Sequence, residues 1–88
     1  MTVLIDEPKW HQHGRTWSHL VSDTSLDELH AFAARLGIPE RGFGGDHYDL
    51  PDEMRAAAIA MGAVPVESRE LLTRLKAAGL RKYVRHQP

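Results

Sequence analysis

Residues 10–30 read WHQHGRTWSHLVSDTSLDELH and contain both tryptophans and four of the six histidines of the chain. Before Leu26 the stretch shows neither helical nor strand periodicity, which predicts a long loop that runs into a helix. Long loops without secondary structure are uncommon in small domains and are usually functional or disordered. Because two large aromatic side chains argue against disorder, we expect an ordered loop that carries the working surface of the protein.

The length of the chain predicts one domain, residues 1–88, with a modest core. A chain of this size buries only about 60–65% of the surface that its unfolded form exposes, and a homo-oligomer would add to that core. The absence of cysteine excludes disulfides, thiolate metal ligands and thiol catalysis. The N-terminus lacks the basic region of a signal peptide, and no run of about 18 apolar residues is present, so we expect a cytoplasmic protein without a membrane partner.

The net charge of −1 is unevenly distributed along the chain. Residues 23–53 contain eight acidic side chains against two arginines, whereas residues 69–88 contain six lysines and arginines against one glutamate. This separation suits a metal site beside a phosphate-binding surface, so a small anionic ligand is an expected partner. The simpler interpretation is that residues 80–88 form a basic C-terminal strand or tail that balances the domain. Nucleic acid is the less favoured partner, because the basic segment contains no recognised nucleic-acid-binding motif.

Three segments of the chain have the apolar periodicity of amphipathic helices. In the first, residues 26–36, Ser25 and Glu28 fit a capping box, and a glycine and a proline follow the last turn. The second is predicted over residues 51–61, with a proline in its first turn, where the missing N–H costs little. The third is predicted to start with Ser68 as its cap and to stop at a glycine.

Short apolar or β-branched runs at residues 2–5, 63–66 and 80–85 predict three strands. With the helices they give the order β-α-α-β-α-β, which predicts an α/β fold with a small, mostly parallel sheet and three helices packed on it. In parallel sheets, ligands bind outside the carboxyl ends of the strands. We therefore expect the unusual polar residues to gather on one rim, and they are Asp6, the loop 7–24, His30, His47, Tyr48, Asp49, Glu67 and Ser68.

Histidine and carboxylate side chains of this rim are candidate metal ligands. Neutral imidazole binds Zn or Mn, and carboxylate oxygen also binds Mg, so these divalent metals are the candidate cofactors. Its predicted ligands are His19, Asp23, His30 and His47. The spacing matches no HExxH, EF-hand or zinc-finger pattern. The alternative therefore stays open that these histidines only form hydrogen bonds to the backbone and cap loops.

Acid–base chemistry on a phosphoester bond is the activity that the same residues predict. His19 and His30 are the predicted catalytic acid and base, because imidazole titrates near neutral pH, and Asp49 is a third catalytic candidate. The predicted ligand-binding residues are Asp6, Arg15 and Tyr48, of which the arginine would clamp a phosphate or carboxylate. The competing interpretation is a non-enzymatic structural or protein-interaction module, in which the His/Trp loop is structural and the tryptophans pin it to the core.

Several short motifs resemble those of the bacterial DUF4031 family. They are WSHLVSD at residues 17–23, ELHAFA at 28–33, LG at 36–37, HYD at 47–49 and GAV at 62–64. The resemblance covers about residues 2–75, and WSHLxSD, ELHxFA and HYD occur in the family's order. It implies that His19, Asp23, Glu28, His30, His47, Tyr48 and Asp49 occupy motif positions, whereas His11 and His86 do not clearly match. The family's function is uncharacterised, so the resemblance implies no activity, substrate or cofactor. One departure is GFGGD at residues 42–46, where relatives carry an aromatic-rich segment.

Overall fold

A computed structural model of the chain describes residues 1–8, 10–12 and 14–81. The predicted last strand, residues 80–85, and the basic tail lie almost wholly outside this described part. Leu80 and Arg81 are described and have no regular secondary structure. His86, which does not clearly match a motif of the resembled family, also lies outside the described residues.

The first three strands form an antiparallel unit in place of the long loop that the sequence predicted. They are β1 (Val3–Ile5), β2 (Trp10–Gln12) and β3 (Arg15–Ser22). β2 turns into β3 at Gly14, whose φ of 73° lies in the left-handed region that glycine adopts readily. β2 pairs with the first residues of β3 and β1 with its last, so the two short strands follow one another along the same side of β3.

The complete sheet is mixed, and the prediction of a mostly parallel sheet is wrong. β4 (Tyr48–Pro51) pairs antiparallel with the other side of β3, and β5 (Val64–Pro65) pairs parallel with β1. Five strands thus fill four positions across the sheet, and β1–β5 is the parallel pair of the described chain. The order is β-β-β-α-β-α-β-α, because β2 and β3 form a hairpin and Tyr48 and Asp49 belong to a strand.

Three helices pack on the sheet, as predicted. They are α1 (Leu26–Leu36), α2 (Arg55–Ala60) and α3 (Ser68–Ala77), and α2 is shorter than predicted because its first turn is the 3₁₀ segment Asp52–Met54. The side chain of Ser25 caps α1 by accepting a hydrogen bond from the Glu28 N–H. No helix in the described ranges is long and apolar enough to cross a membrane.

The helices lie on opposite faces of the sheet, which gives the molecule two apolar layers. One layer holds α1 and α2, with Leu20, Leu29, Phe32, Tyr48, Leu50 and Ala58 among its buried residues. The other layer holds α3, whose Leu71 and Leu75 pack on Leu4 and Val21. Because successive strand residues point to opposite faces, His19 shares the α3 face with Val21, while Leu20 lies on the α1 face.

Candidate functional site

Asp6 follows β1 and fixes the position of His19 in β3. The Asp6 N–H donates to the His19 carbonyl at 3.2 Å, which continues the antiparallel ladder by one residue. The Asp6 carboxylate accepts the His19 N–H at Oδ1 (2.6 Å) and contacts the ring nitrogen Nδ1 through Oδ2 (2.9 Å). The hydroxyl of Ser68, in the first turn of α3, donates to the same Oδ2 at 3.0 Å. The carboxylate, only 2% exposed, therefore ties together β1, β3 and α3.

The charge of Asp6 determines which nitrogen of His19 faces the site. Burial by itself raises the pKa of Asp6, but the hydrogen bonds from the side chain and backbone of His19 and from Ser68 outweigh it and hold the pKa below its usual value. An ionised carboxylate only accepts hydrogen bonds. The Nδ1 of His19 therefore carries the hydrogen of this bond, and Nε2 is the nitrogen that can bind a ligand.

His47 repeats this arrangement in the turn before β4. Its Nδ1 lies 2.7 Å from Oδ1 of Asp46, a carboxylate that is 2% exposed. Arg81 approaches the other Asp46 oxygen at 3.4 Å. The nearby Asp49 carboxylate raises the pKa of His47, burial opposes this, and Asp46 adds to the increase. Each of the two histidines is thus held at Nδ1 by a buried aspartate.

Asp49 supplies a third group on the same face. It pairs with His19 in the β3–β4 register, which places the two side chains side by side. Its Oδ1 lies 3.2 Å from Nε2 of His47, a distance at which the two groups form an ion pair when His47 is protonated. This oxygen is buried and has no hydrogen-bond partner among the described residues. A buried carboxylate oxygen without a donor is costly unless a cation or another group completes its environment.

The three side chains converge on one point. Each of His19, His47 and Asp49 offers an atom that lies within 4.8 Å of the other two. The two imidazole rings meet edge to face, with centroids 5.3 Å apart. A metal ion with bonds of about 2.0–2.2 Å holds tetrahedral ligand atoms roughly 3.4 Å apart. Small side-chain rotations would therefore close the group around one ion.

A cavity of about 260 Å³ opens beside this group, between the sheet and α3. Its lining combines polar residues of the site with apolar residues of the α3 layer. The described residues that line it are Asp6, His19, Val21, Asp46, His47, Ser68, Leu71, Leu72, Leu75 and Arg81. His19 and His47 thus face a space large enough for a small molecule.

The structure places His30 and Tyr48 away from this group. The Nδ1 of His30 lies 2.7 Å from the Tyr48 hydroxyl, and its ring packs on Phe43. Tyr48 belongs to the apolar layer of α1, whereas the neighbouring Asp49 lies on the opposite face of β4. The sheet therefore separates these two predicted site residues from His19 and His47.

Asp23 and Arg15 also lie apart from it. Asp23 accepts the Thr2 N–H at 2.9 Å and pairs with Arg74 at 2.6 Å. It follows β3, which runs antiparallel to β1, so it lies at the amino end of β1 rather than at the carboxyl end. Arg15 forms an exposed ion pair with Glu53 at 3.4 Å. Asp6 thus lies at the carboxyl end of β1, whereas Asp23 and the start of α1 lie at the opposite edge of the sheet.

Two contributors were missed by the sequence analysis. In the sequence, Asp46 stands out only as one of the acidic side chains of residues 23–53, although an aspartate directly before a histidine can reach the ring in a turn. Gly44 lies so close to His47 that a Cβ placed on it would come within 2.8 Å of the ring atom Cε1.

Ser68 was expected to cap α3, but Glu67 occupies the N-cap position without a side-chain cap, and the Ser68 hydroxyl donates to Asp6 instead.

Comparisons with known proteins identify a family. Residues 3–78 match the family described as "Protein of unknown function (DUF4031)". No curated protein and no solved structure matches the chain.

Proposed function

Because the chain belongs to the DUF4031 family, whose description names no activity, we propose its function from the site itself. The protein binds a divalent transition-metal ion through His19, His47 and Asp49 and uses it to hydrolyse a small molecule in the adjoining cavity.

The repeated histidine–carboxylate pair is the observation that supports this proposal. Histidines that bind metals almost always donate their other ring N–H to a carboxylate, a backbone carbonyl or water, which fixes the ring and makes the ligand nitrogen more basic. Here His19 is held by Asp6 at 2.9 Å and His47 by Asp46 at 2.7 Å. The buried oxygen of Asp49 makes no hydrogen bond with the described residues and lies 3.2 Å from Nε2 of His47, close to where both rings meet.

The ligand set favours particular metals. Two imidazoles and one carboxylate suit Zn, Mn or Fe, whereas Mg prefers oxygen ligands and keeps several waters. Zn or Mn is therefore the better match among the metals expected from the sequence.

Hydrolysis is the reaction class that such a centre supports. With the three ligands that the described residues supply, a coordination position would remain for water or substrate, which is typical of catalytic rather than structural zinc sites. A metal ion in such a site lowers the pKa of its bound water to about 7 and polarises the bond that the water attacks. The phosphoester-type hydrolase and its anionic substrate are one version of this proposal, and a carboxylic ester or amide is the other.

Metal titration of untagged protein tests the metal site. We expect one zinc ion per chain by isothermal titration calorimetry, and His47→Ala should weaken its binding by at least about a hundredfold, because even changes beyond the direct ligands cost 10–100-fold. His30→Ala is the matched control and should bind zinc like the wild type, since this histidine lies on the other face of the sheet. A wild type that binds no Zn, Mn or Fe would refute the proposal and leave the interaction-module interpretation.

Activity needs its own measurement. The metal-loaded protein should cleave at least one member of a panel of chromogenic carboxylic esters, amides and phosphoesters, and the metal-free protein and His47→Ala should not. A metal-loaded protein that cleaves none of them would restrict the function to metal binding.

A further inference from the structure

The cavity beside the proposed metal has a mixed lining, and most of its apolar residues belong to α3. Val21, Leu71 and Leu75 are buried core residues of the α3 layer, and Leu72 is half-buried at the cavity wall. The polar lining residues include His19 and His47 of the proposed metal site. A molecule in this space could therefore contact the metal and the leucines of α3 at the same time.

From this arrangement we infer the substrate class of the site: a small molecule with an apolar body and a single metal-binding head group, of the kind found in esters or amides of short aliphatic or aromatic acids. The inference rests on the proposed metal site, and it distinguishes between the two kinds of substrate left open above.

The charges around the site oppose a phosphate substrate. Asp6, Asp46 and Asp49 contribute three negative charges, and Arg81, which lines the cavity, lies 3.4 Å from Asp46. With a divalent ion bound and both histidines neutral, these three carboxylates, Arg81 and the ion sum to zero, and Arg55, whose Nε donates to the Asp6 backbone carbonyl at 3.2 Å, adds one positive charge among the described residues. A phosphate dianion would still leave excess negative charge next to three carboxylates, whereas a neutral or singly charged head group would not.

The size of the cavity limits the apolar body. An apolar cavity of about 150 Å³ holds one benzene ring. A cavity of about 260 Å³ therefore has room for a ring with a short substituent or for a chain of roughly six to eight carbon atoms. Each methylene group buried against Leu71, Leu72 and Leu75 should strengthen binding roughly fourfold.

Two hydroxamates and inorganic phosphate test this inference on the zinc-loaded chain. Hexanohydroxamate and acetohydroxamate share a metal-binding head, but the former has four more methylene groups for the apolar wall. We expect hexanohydroxamate to bind at least tenfold more tightly than acetohydroxamate in calorimetric titrations, and phosphate to bind more weakly than either. The metal-free protein should bind none of the three appreciably.

A variant with a polar side chain in the apolar wall tests whether the cavity lining causes the preference for hexanohydroxamate. Leu72→Asn should reduce the preference for hexanohydroxamate to less than threefold, while zinc binding stays at the wild-type level. Val64→Asn is the control: this residue is 41% exposed on β5 and does not line the cavity, so the preference should persist.

Three other results would overturn the inference, and each of them shows which part of it is wrong. Equal binding of the two hydroxamates to zinc-loaded protein would show that the apolar wall is not used, and the proposed metal site would survive. Tighter binding of phosphate would establish an anionic substrate instead. A chain that binds no metal would refute both the inference and the proposed function.

Discussion

Asp6 and Asp46 show how single residues prepare the site. Both are almost fully buried, and both contact a histidine at Nδ1 rather than standing as isolated charges. Burial of an unpaired carboxylate is expensive, whereas a carboxylate that receives several hydrogen bonds is tolerated. Asp6 receives three, from the His19 backbone, the His19 ring and Ser68. The same bonds that make these aspartates stable also orient the imidazole rings.

Gly44 is predicted to position His47. An added Cβ would lie 2.8 Å from Cε1 and 2.9 Å from Nε2 of the ring, so Gly44→Ala must displace the nitrogen that binds the metal. We expect zinc affinity to fall by at least about tenfold, comparable to the loss of a supporting contact, with little change in stability. Gly42→Ala is the control, because its nearest contacts would be ordinary ones at 3.6 and 3.8 Å. Unchanged zinc affinity in Gly44→Ala would contradict the positioning role.

Asp23 is predicted to contribute stability in a pH-dependent way. Burial raises its pKa, but hydrogen bonds from the Thr2 N–H, Arg74 and Thr24 outweigh this and lower it below the ordinary value of 3.8. A carboxyl group with a lowered folded-state pKa stabilises the protein above its unfolded-state pKa, and this contribution disappears as pH falls through the folded-state pKa. At pH 7, Asp23→Asn should therefore cost about 1–2 kcal/mol of unfolding free energy.

Urea denaturation of both proteins from pH 7 downward measures this contribution. The difference between wild type and Asp23→Asn should be constant near neutral pH and should shrink below about pH 4. Glu70→Gln is the control, because Glu70 is 55% exposed and lies 3.5 Å from Arg74, so its loss should cost no more than about 0.5 kcal/mol. A difference that grows in acid would contradict the assigned role of Asp23.

At the scale of the elements, β3 contains two buried serines that should respond oppositely to the same change. The hydroxyl of Ser22 donates to Glu28 at 2.5 Å and accepts the N–H groups of Thr24 and Ser25, which joins the end of β3 to the start of α1. The hydroxyl of Ser18 is equally buried but has no partner among the described residues. Ser22→Ala should therefore cost about 2–3 kcal/mol, whereas Ser18→Ala should be neutral or stabilising by about 1 kcal/mol. Equal effects in urea denaturation would contradict this assignment.

The elements also differ in how far the sequence alone predicts them. α1 is predictable because its cap, its apolar stripe and its terminal glycine agree, and each is observed: Ser25 caps the helix, Leu29, Phe32 and Ala33 are buried, and Gly37 has a φ of 89°. β3 is not predictable from periodicity because it is covered on both faces near its end. Its buried polar residues form hydrogen bonds in the folded chain, such as those of Ser22, and hydrophobic periodicity does not predict these bonds.

At the scale of the whole molecule, the antiparallel hairpin β2–β3 explains why several of the expected site residues lie away from the carboxyl end of β1. The parallel pair β1–β5 does place Asp6 and Ser68 together at the carboxyl edge. Since β3 runs the other way, the start of α1 and Asp23 lie at the opposite edge, and His30 lies in the α1 layer. The sequence shows which residues lie near the end of a strand. It does not show the direction of that strand in the sheet, because the direction depends on pairing with residues that are distant in sequence.

The grouping of His19 and Asp49 likewise follows from the β3–β4 register rather than from sequence spacing. Both residues were candidates because of their chemistry, and His47 was a candidate because it precedes Asp49 by two positions. Their convergence within 4.8 Å depends on a sheet that places residues thirty positions apart side by side. Composition thus indicates the types of residue in the site, and topology decides which of them meet.

Anomalous scattering from a zinc-soaked crystal, collected above and below the zinc absorption edge, tests the metal site most directly. We predict one strong anomalous peak within about 2.0–2.2 Å of Nε2 of His19, Nε2 of His47 and a carboxylate oxygen of Asp49. A peak elsewhere on the surface, or none in protein that has been fully exposed to zinc, would contradict the account.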